Sequence, residues 1–156
     1  MMPTMEKADQ SKIKQKSFTY KTSTEWTEGR LGSLLGDGKP SIRFSSPPEF
    51  KGEPGVWTPE DLFVAAVETC HMMTFISLAA RRHLLLLSYQ SHTNGVLEFM
   101  DGEYRFTRIV IFPTITVPKS MDEHDVKVVL EDAHKHCLVV NSIASIVEVN
   151  PTIIQQ

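Results

Sequence analysis

Thr58-Pro59-Glu60-Asp61-Leu62-Phe63-Val64-Ala65-Ala66-Val67-Glu68-Thr69-Cys70 is the stretch on which the reading of this chain turns. Its first four residues form a helix start. Thr58 can cap, Pro59 suits the first helical position, and Asp61 closes a box-like pattern three residues after the cap. The helix should run to about His83, with Arg81 and Arg82 near its negative end. Phe63, Val64, Ala65, Ala66, Val67, Met72, Met73, Phe75, Ile76 and Leu78 cover nearly every face, which predicts a buried, central helix. Glu68, Thr69, Cys70, His71 and Thr74 interrupt the apolar run from Leu62 to Ala80 and argue against a membrane span.

Upstream, Lys16 to Trp26 is rich in β-branched and aromatic residues and reads as a strand. Gly29-Arg30-Leu31-Gly32 leads into a second strand, Gly36-Asp37-Gly38 is a hairpin turn, and Ser41 to Phe44 alternates as a third strand. Pro47 to Gly55 is a Pro/Gly-rich loop. Downstream, Leu85 to Met100 and Tyr104 to Val117 form a long hairpin joined at Asp101-Gly102. Ser120-Met121-Asp122-Glu123 reads as a second capping box. After it, Val126, Val129, Leu130, Ala133 and Cys137 fall on one helical stripe. Ile146 to Ile154 reads as a last strand, with Pro151 favouring an edge. The order βββ-α-ββ-α-β predicts an α+β fold with two helices packed on sheet.

The 156 residues amount to one domain, expected over residues 17–156 after a loose, polar, lysine-rich tail, Met1 to Lys16. The 41% apolar and 22% charged residues are ordinary globular values and exclude a disordered or disulfide-scaffold chain. The net charge of −3, with no basic face, argues against nucleic acid as a partner. The first residues lack the apolar core of a secretory signal, so the expectation is a cytoplasmic protein with no membrane partner. In that compartment two cysteines are thiols or a working redox pair.

Cys70 lies midway along the central helix, and Cys137 ends the stripe of the second. Both positions predict burial against one core, so the sulfurs could lie within bridging reach. Spacing alone leaves open whether they react or serve as small core hydrophobes. A reactive thiolate needs a nearby cation, for which Arg30 is a candidate, and a buried arginine needs a carboxylate, for which Glu60 is the natural partner. Both also have plainer readings, as a solvated edge-strand charge and as an acid favoured by the helix dipole. Glu60 and Cys70 are ten residues apart, about 15 Å along a continuous helix at ~1.5 Å per residue. One arginine does not easily touch both. If the three converge, either the helix is broken or two chains share the site.

Pro59 to Cys70 resembles the first-cysteine motif of the OsmC/Ohr superfamily of hydroperoxide reductases. Ala133-His134-Lys135-His136-Cys137, with Asn141-Ser142 after it, resembles the second-cysteine motif, and Glu28-Gly29-Arg30-Leu31-Gly32 is similar to the N-terminal arginine segment. The likeness runs from about Ser17 to Ile154. It implies an intertwined homodimer with active sites at the subunit interface, Cys70 as the peroxidatic cysteine and Cys137 as the resolving one. Arg30 and Glu60 would be the ion pair that activates and gates Cys70. It further implies organic hydroperoxides as substrates and a dithiol reductant, a lipoylated protein being one candidate. No metal or organic cofactor is called for.

Departures from the better-studied branches place the chain in an OsmC-like branch. Leu138 follows Cys137 where proline is usual, His71 follows Cys70, and Thr58 precedes Pro59 where the Ohr branch tends to have asparagine. The reading from another class is a non-catalytic redox-sensing or ligand-binding module that keeps the fold. His134, His136 and Cys137 make a poor metal set, because positions i and i+2 of a helix point to different faces. Met72 and Met73 read as core filling. Trp57 and Phe50 either wall an apolar pocket or pack.

Overall fold

The computed structural model describes residues 16–156, so the tail expected over Met1 to Lys16 lies, apart from Lys16, outside the described residues. Three short antiparallel strands come first: β1 (Ser23–Glu28), β2 (Leu31–Leu35) and β3 (Ile42–Ser45). The first begins only at Ser23, later than composition suggests, and all its residues are exposed. The Gly36 turn forms as expected, with Lys39 N donating to Gly36 O at 3.0 Å. Packing in this sheet is mainly internal, β1 on β2 and β2 on β3.

The central helix, α1, runs unbroken from Pro59 to Arg81. Its start is the predicted box: Asp61 N donates to Thr58 Oγ1 at 3.1 Å and Thr58 N donates to Asp61 Oδ2 at 3.0 Å. By length and composition α1 could cross a membrane. Val67 and Phe75 are wholly buried against the rest of the chain, and Glu68 accepts a hydrogen bond from Ser91 on the sheet at 2.6 Å. The expectation of burial on every face needs correction, however. Only Val67, His71, Phe75 and Ala79, one stripe at fourfold spacing, are buried, and Met73 is 57% exposed. This chain places one sheet and one helix against α1, and two neighbours cover one side of a cylinder.

The long hairpin forms as read, β4 (Ser88–Met100) against β5 (Glu103–Val117). Asp101 and Gly102 both take positive φ, 52° and 87°, matching a two-residue turn to the twist of the strands. Gly95 lets α1 approach: a Cβ there would sit 2.5 Å from Val64 Cγ2. The second helix, α2 (Glu123–His136), is capped by Asp122, which accepts from His124 N at 2.9 Å. The box expected from Ser120 does not form, since Met121 N bonds back to Pro118 O and draws Ser120 into a turn. Its stripe is as predicted, with Val126, Val129, Leu130, Ala133 and Cys137 all buried.

The expected single last strand divides into β6 (Ile146–Val149) and β7 (Thr152–Gln155), both parallel to β5. Pro151 has no N–H for the ladder, and Asn150 N bonds Ile111 O at 2.8 Å across the break. The order is therefore βββ-α-ββ-α-ββ, an α+β fold with two helices on the second sheet.

Candidate functional site

The two cysteines meet where α1 passes the end of α2. Cys70 is half-buried and Cys137 wholly buried, and both are free thiols. Cys137 ends α2 in an extended conformation, after which the chain folds straight into a 3-10 turn, Val140–Ser142. That turn is held by Asn141 N to Cys137 O at 3.0 Å, Asn141 Nδ2 to Lys135 O at 3.0 Å and Ser142 Oγ to Leu138 O at 2.7 Å. Side-chain bonds of this kind close a helix end whose last carbonyls lack partners. They also turn the N–H groups of Leu138 and Val139 toward the Cys70 sulfur.

Burial pushes the Cys70 thiol up, but donors to its sulfur outweigh burial: the Val139 N–H, then the Cys137 thiol, then the Leu138 N–H. The net result lies below the ordinary cysteine value. Thr74 is a weaker contributor, because its one hydroxyl hydrogen already goes to the Cys70 carbonyl at 2.8 Å. Cys137 moves the opposite way. Burial first, and then the hydrogen bond and charge of Cys70, push it up to about 11. The pair is thus polarised, the Cys70 thiol shifted down and the Cys137 thiol shifted up.

Arg30 sits exposed in the turn between β1 and β2, beside Gly29 at φ 51°, and among the described residues it forms no ion pair. Glu60 lies in the first turn of α1, with Oε2 buried and without a hydrogen-bond partner among the described residues. Since α1 is continuous, Glu60 and Cys70 stay about 15 Å apart in rise. Within one chain the fold brings Cys70 and Cys137 together but not Arg30 and Glu60.

Glu60 instead lines an open groove of about 1080 Å³ along the first half of α1, as far as Glu68. Trp57, Phe50, Tyr104 and Phe106 line the same groove, and Thr93 Oγ1 is a second buried oxygen there without a partner among the described residues. Trp57 and Phe50 are therefore wall residues, and Phe50 also packs edge-on to Tyr104 at 5.3 Å between ring centroids.

Sequence reasoning missed the backbone donors of Leu138 and Val139, which carry no residue-type signal. It also left two histidines unassigned. His71 is wholly buried with neither ring nitrogen partnered among the described residues, and burial, with His134 beside it, pushes it down to about 4. The signal available was a histidine set directly after Cys70 in an otherwise apolar helix. No group of three or more potential metal ligands occurs among the described residues.

A family model for OsmC-like protein matches residues 52–152. Among curated proteins none matches the sequence. An OsmC-like protein of unknown function from Vibrio cholerae superposes with a TM-score of 0.80 at 23% identity, over 86% of this chain and 99% of that one. An OsmC-like protein from Mycoplasma pneumoniae gives 0.77 at 16%, over 89% and 99%. An organic hydroperoxide resistance protein OsmC from Legionella pneumophila gives 0.69 at 21%, over 88% and 99%. At these identities the structural likeness speaks to the fold.

Proposed function

The chain belongs to the OsmC-like protein family, and from that premise we propose that it is a cysteine-based peroxidase reducing organic hydroperoxides in the cytoplasm. The single observation that carries this reading is the opposed setting of two adjacent thiols, Cys70 lowered and Cys137 raised. A thiolate is the nucleophile in such chemistry and a protonated neighbour the reserve thiol. Cys70 attacks the distal peroxide oxygen, the O–O bond breaks, and the alkoxide leaves as alcohol once protonated. The Cys70 sulfenic acid then condenses with Cys137, giving a disulfide and water. A dithiol reductant, a lipoylated protein being one candidate, returns both thiols by exchange.

The working unit in this proposal is an intertwined homodimer in which Glu60 and Cys70 of one site come from different chains and Arg30 joins them. Three features support it. The helix between Glu60 and Cys70 has no break, Glu60 Oε2 is buried without a partner among the described residues, and the first sheet and much of α1 expose apolar surface, Trp26 being 77% exposed. The aromatic groove beside Glu60 suits an alkyl or fatty-acid chain better than hydrogen peroxide.

The deciding experiment is hydroperoxide consumption with a dithiol reductant, followed by mass spectrometry. Turnover is expected for the wild type and none for Cys70→Ser. Cys137→Ser should stop at a trapped Cys70 sulfenic acid. Stoichiometric oxidation without turnover would identify a redox sensor instead. Oxidation of Cys137 in Cys70→Ser as fast as that of Cys70 in the wild type would reverse the roles.

A further inference from the structure

Resolution poses a proton problem. Cys137 must lose its proton to attack sulfur, yet it lies in the most buried part of the site. Within one helical turn of either cysteine, most ionisable side chains are engaged elsewhere or exposed. Glu68 is bonded to Ser91 on β4, and Lys135 and His136 are exposed, His136 through Nδ1 to the Asp132 carbonyl at 2.8 Å. The exceptions are His71, next to Cys70, and His134, three residues before Cys137 and hence its neighbour on α2. Their rings face each other across the α1–α2 seam, 6.4 Å apart and tilted by 57°.

Both nitrogens of His71 and Nδ1 of His134 are buried without hydrogen-bond partners among the described residues. Orphaned buried groups are costly, and three in one place call for a reason. The His134 ring has a second aspect. It lines a cavity of about 520 Å³ between α2 and β6, together with Leu130, Val147 and Val149. One nitrogen of this imidazole is therefore buried on the His71 side, one helical turn from Cys137, while the ring borders a cavity, which is the layout of a proton conduit.

We propose that His134 is the base of the resolving step, taking the Cys137 proton and passing it on through the α2–β6 cavity, with His71 as the positioning residue that fixes its ring. This rests on the peroxidase reading for its physiological oxidant, an organic hydroperoxide. The Cys137 S–H bond breaks and its proton goes to His134, directly or across one water. The sulfur then forms the bond to Cys70, and the S–O bond of the sulfenic acid breaks. The departing hydroxide takes up a proton to leave as water, so the sum is sulfenic acid plus thiol giving disulfide plus water. Lys127, Glu131 and Lys135 of α2 line the cavity with His134, His71 faces its ring from α1, and among the described residues the β6–β7 wall of the cavity contributes only Val147, Val149 and Pro151.

Dithiobis(nitrobenzoate) separates the two steps without any hydroperoxide. Cys70 releases one thionitrobenzoate on forming a mixed disulfide, and attack by Cys137 releases the second. His134→Gln should slow the second release at pH 7 on the order of 10²-fold, the usual worth of a general base, and leave the first release near the wild-type rate. Added imidazole should restore the second release in the variant and leave the first unchanged. His71→Leu should slow the second release alone, and His71→Gln should restore it in part. If His134→Gln misfolds by circular dichroism, His134→Asn and His71→Leu carry the same comparison. A second release at the wild-type rate in a folded variant, equal slowing of both releases, or no second release in the wild type would overturn the proposal. Failure of the wild type to consume hydroperoxide would instead sink the peroxidase reading and leave this result standing.

Discussion

If the backbone of the turn after α2 activates Cys70, deleting one N–H should be enough to detect it. Val139 is the position to test, because its N–H ranks first among the donors that lower Cys70 and its φ of −69° is already the angle proline imposes. Val139→Pro removes the donor without demanding a new backbone angle at that residue. A hydrogen bond to a charged group is worth about 1.5–3 kcal/mol, and about 1.4 kcal/mol corresponds to one pKa unit. Cys70 should therefore rise by about one to two units. At pH values below the wild-type midpoint the thiolate fraction then falls roughly ten- to a hundredfold, and the rate of alkylation by iodoacetamide falls with it, whereas the rate at high pH, where every Cys70 is ionised, stays the same. Proline also restricts Leu138, so a second protein with the Val139 amide replaced by an ester, made by semisynthesis, serves as the control that keeps the side chain. Mass spectrometry after pulsed alkylation from pH 5 to 10 reads the Cys70 titration apart from that of Cys137. An unchanged midpoint in both proteins, with the fold intact, would falsify backbone activation and return the task to a cation from elsewhere.

Mixing Glu60→Ala with Cys70→Ser chains after unfolding should regenerate one intact site per heterodimer, and with it some hydroperoxide turnover. A verified heterodimer that stays inactive would show that no site is shared between subunits. His71 offers a stability test. Its folded value, near 4 against an ordinary 6.5, is depressed, so the neutral ring's contribution is complete above about 6.5 and is lost as the pH falls toward 4. That loss is on the order of 3 kcal/mol. In His71→Phe the melting temperature should depend less on pH across that window than in the wild type, and parallel curves would refute the assignment.

Local rules alone determined much of this protein. The Thr58–Asp61 box, the Asp101-Gly102 turn and the α2 stripe ending in Cys137 are short-range patterns of capping, backbone angle and helical spacing, and each is present as read. Where the reading slipped, a neighbouring proline outcompeted the local signal: Pro118 drew Ser120 into a turn, and Pro151 split the last strand. The two cysteines were visible as candidates, but not what would set their protons. That depended on the turn of chain after Cys137, which points two N–H groups at a sulfur 68 or 69 positions earlier, counting from Cys70 to Leu138 and Val139. It depended also on the crossing of α1 and α2, which buries His71 against His134. Backbone donors have no residue identity, and the burial of a polar ring depends on what packs over it. Such contacts between distant parts of the chain exist only once the helices have crossed, so tertiary structure alone decided them.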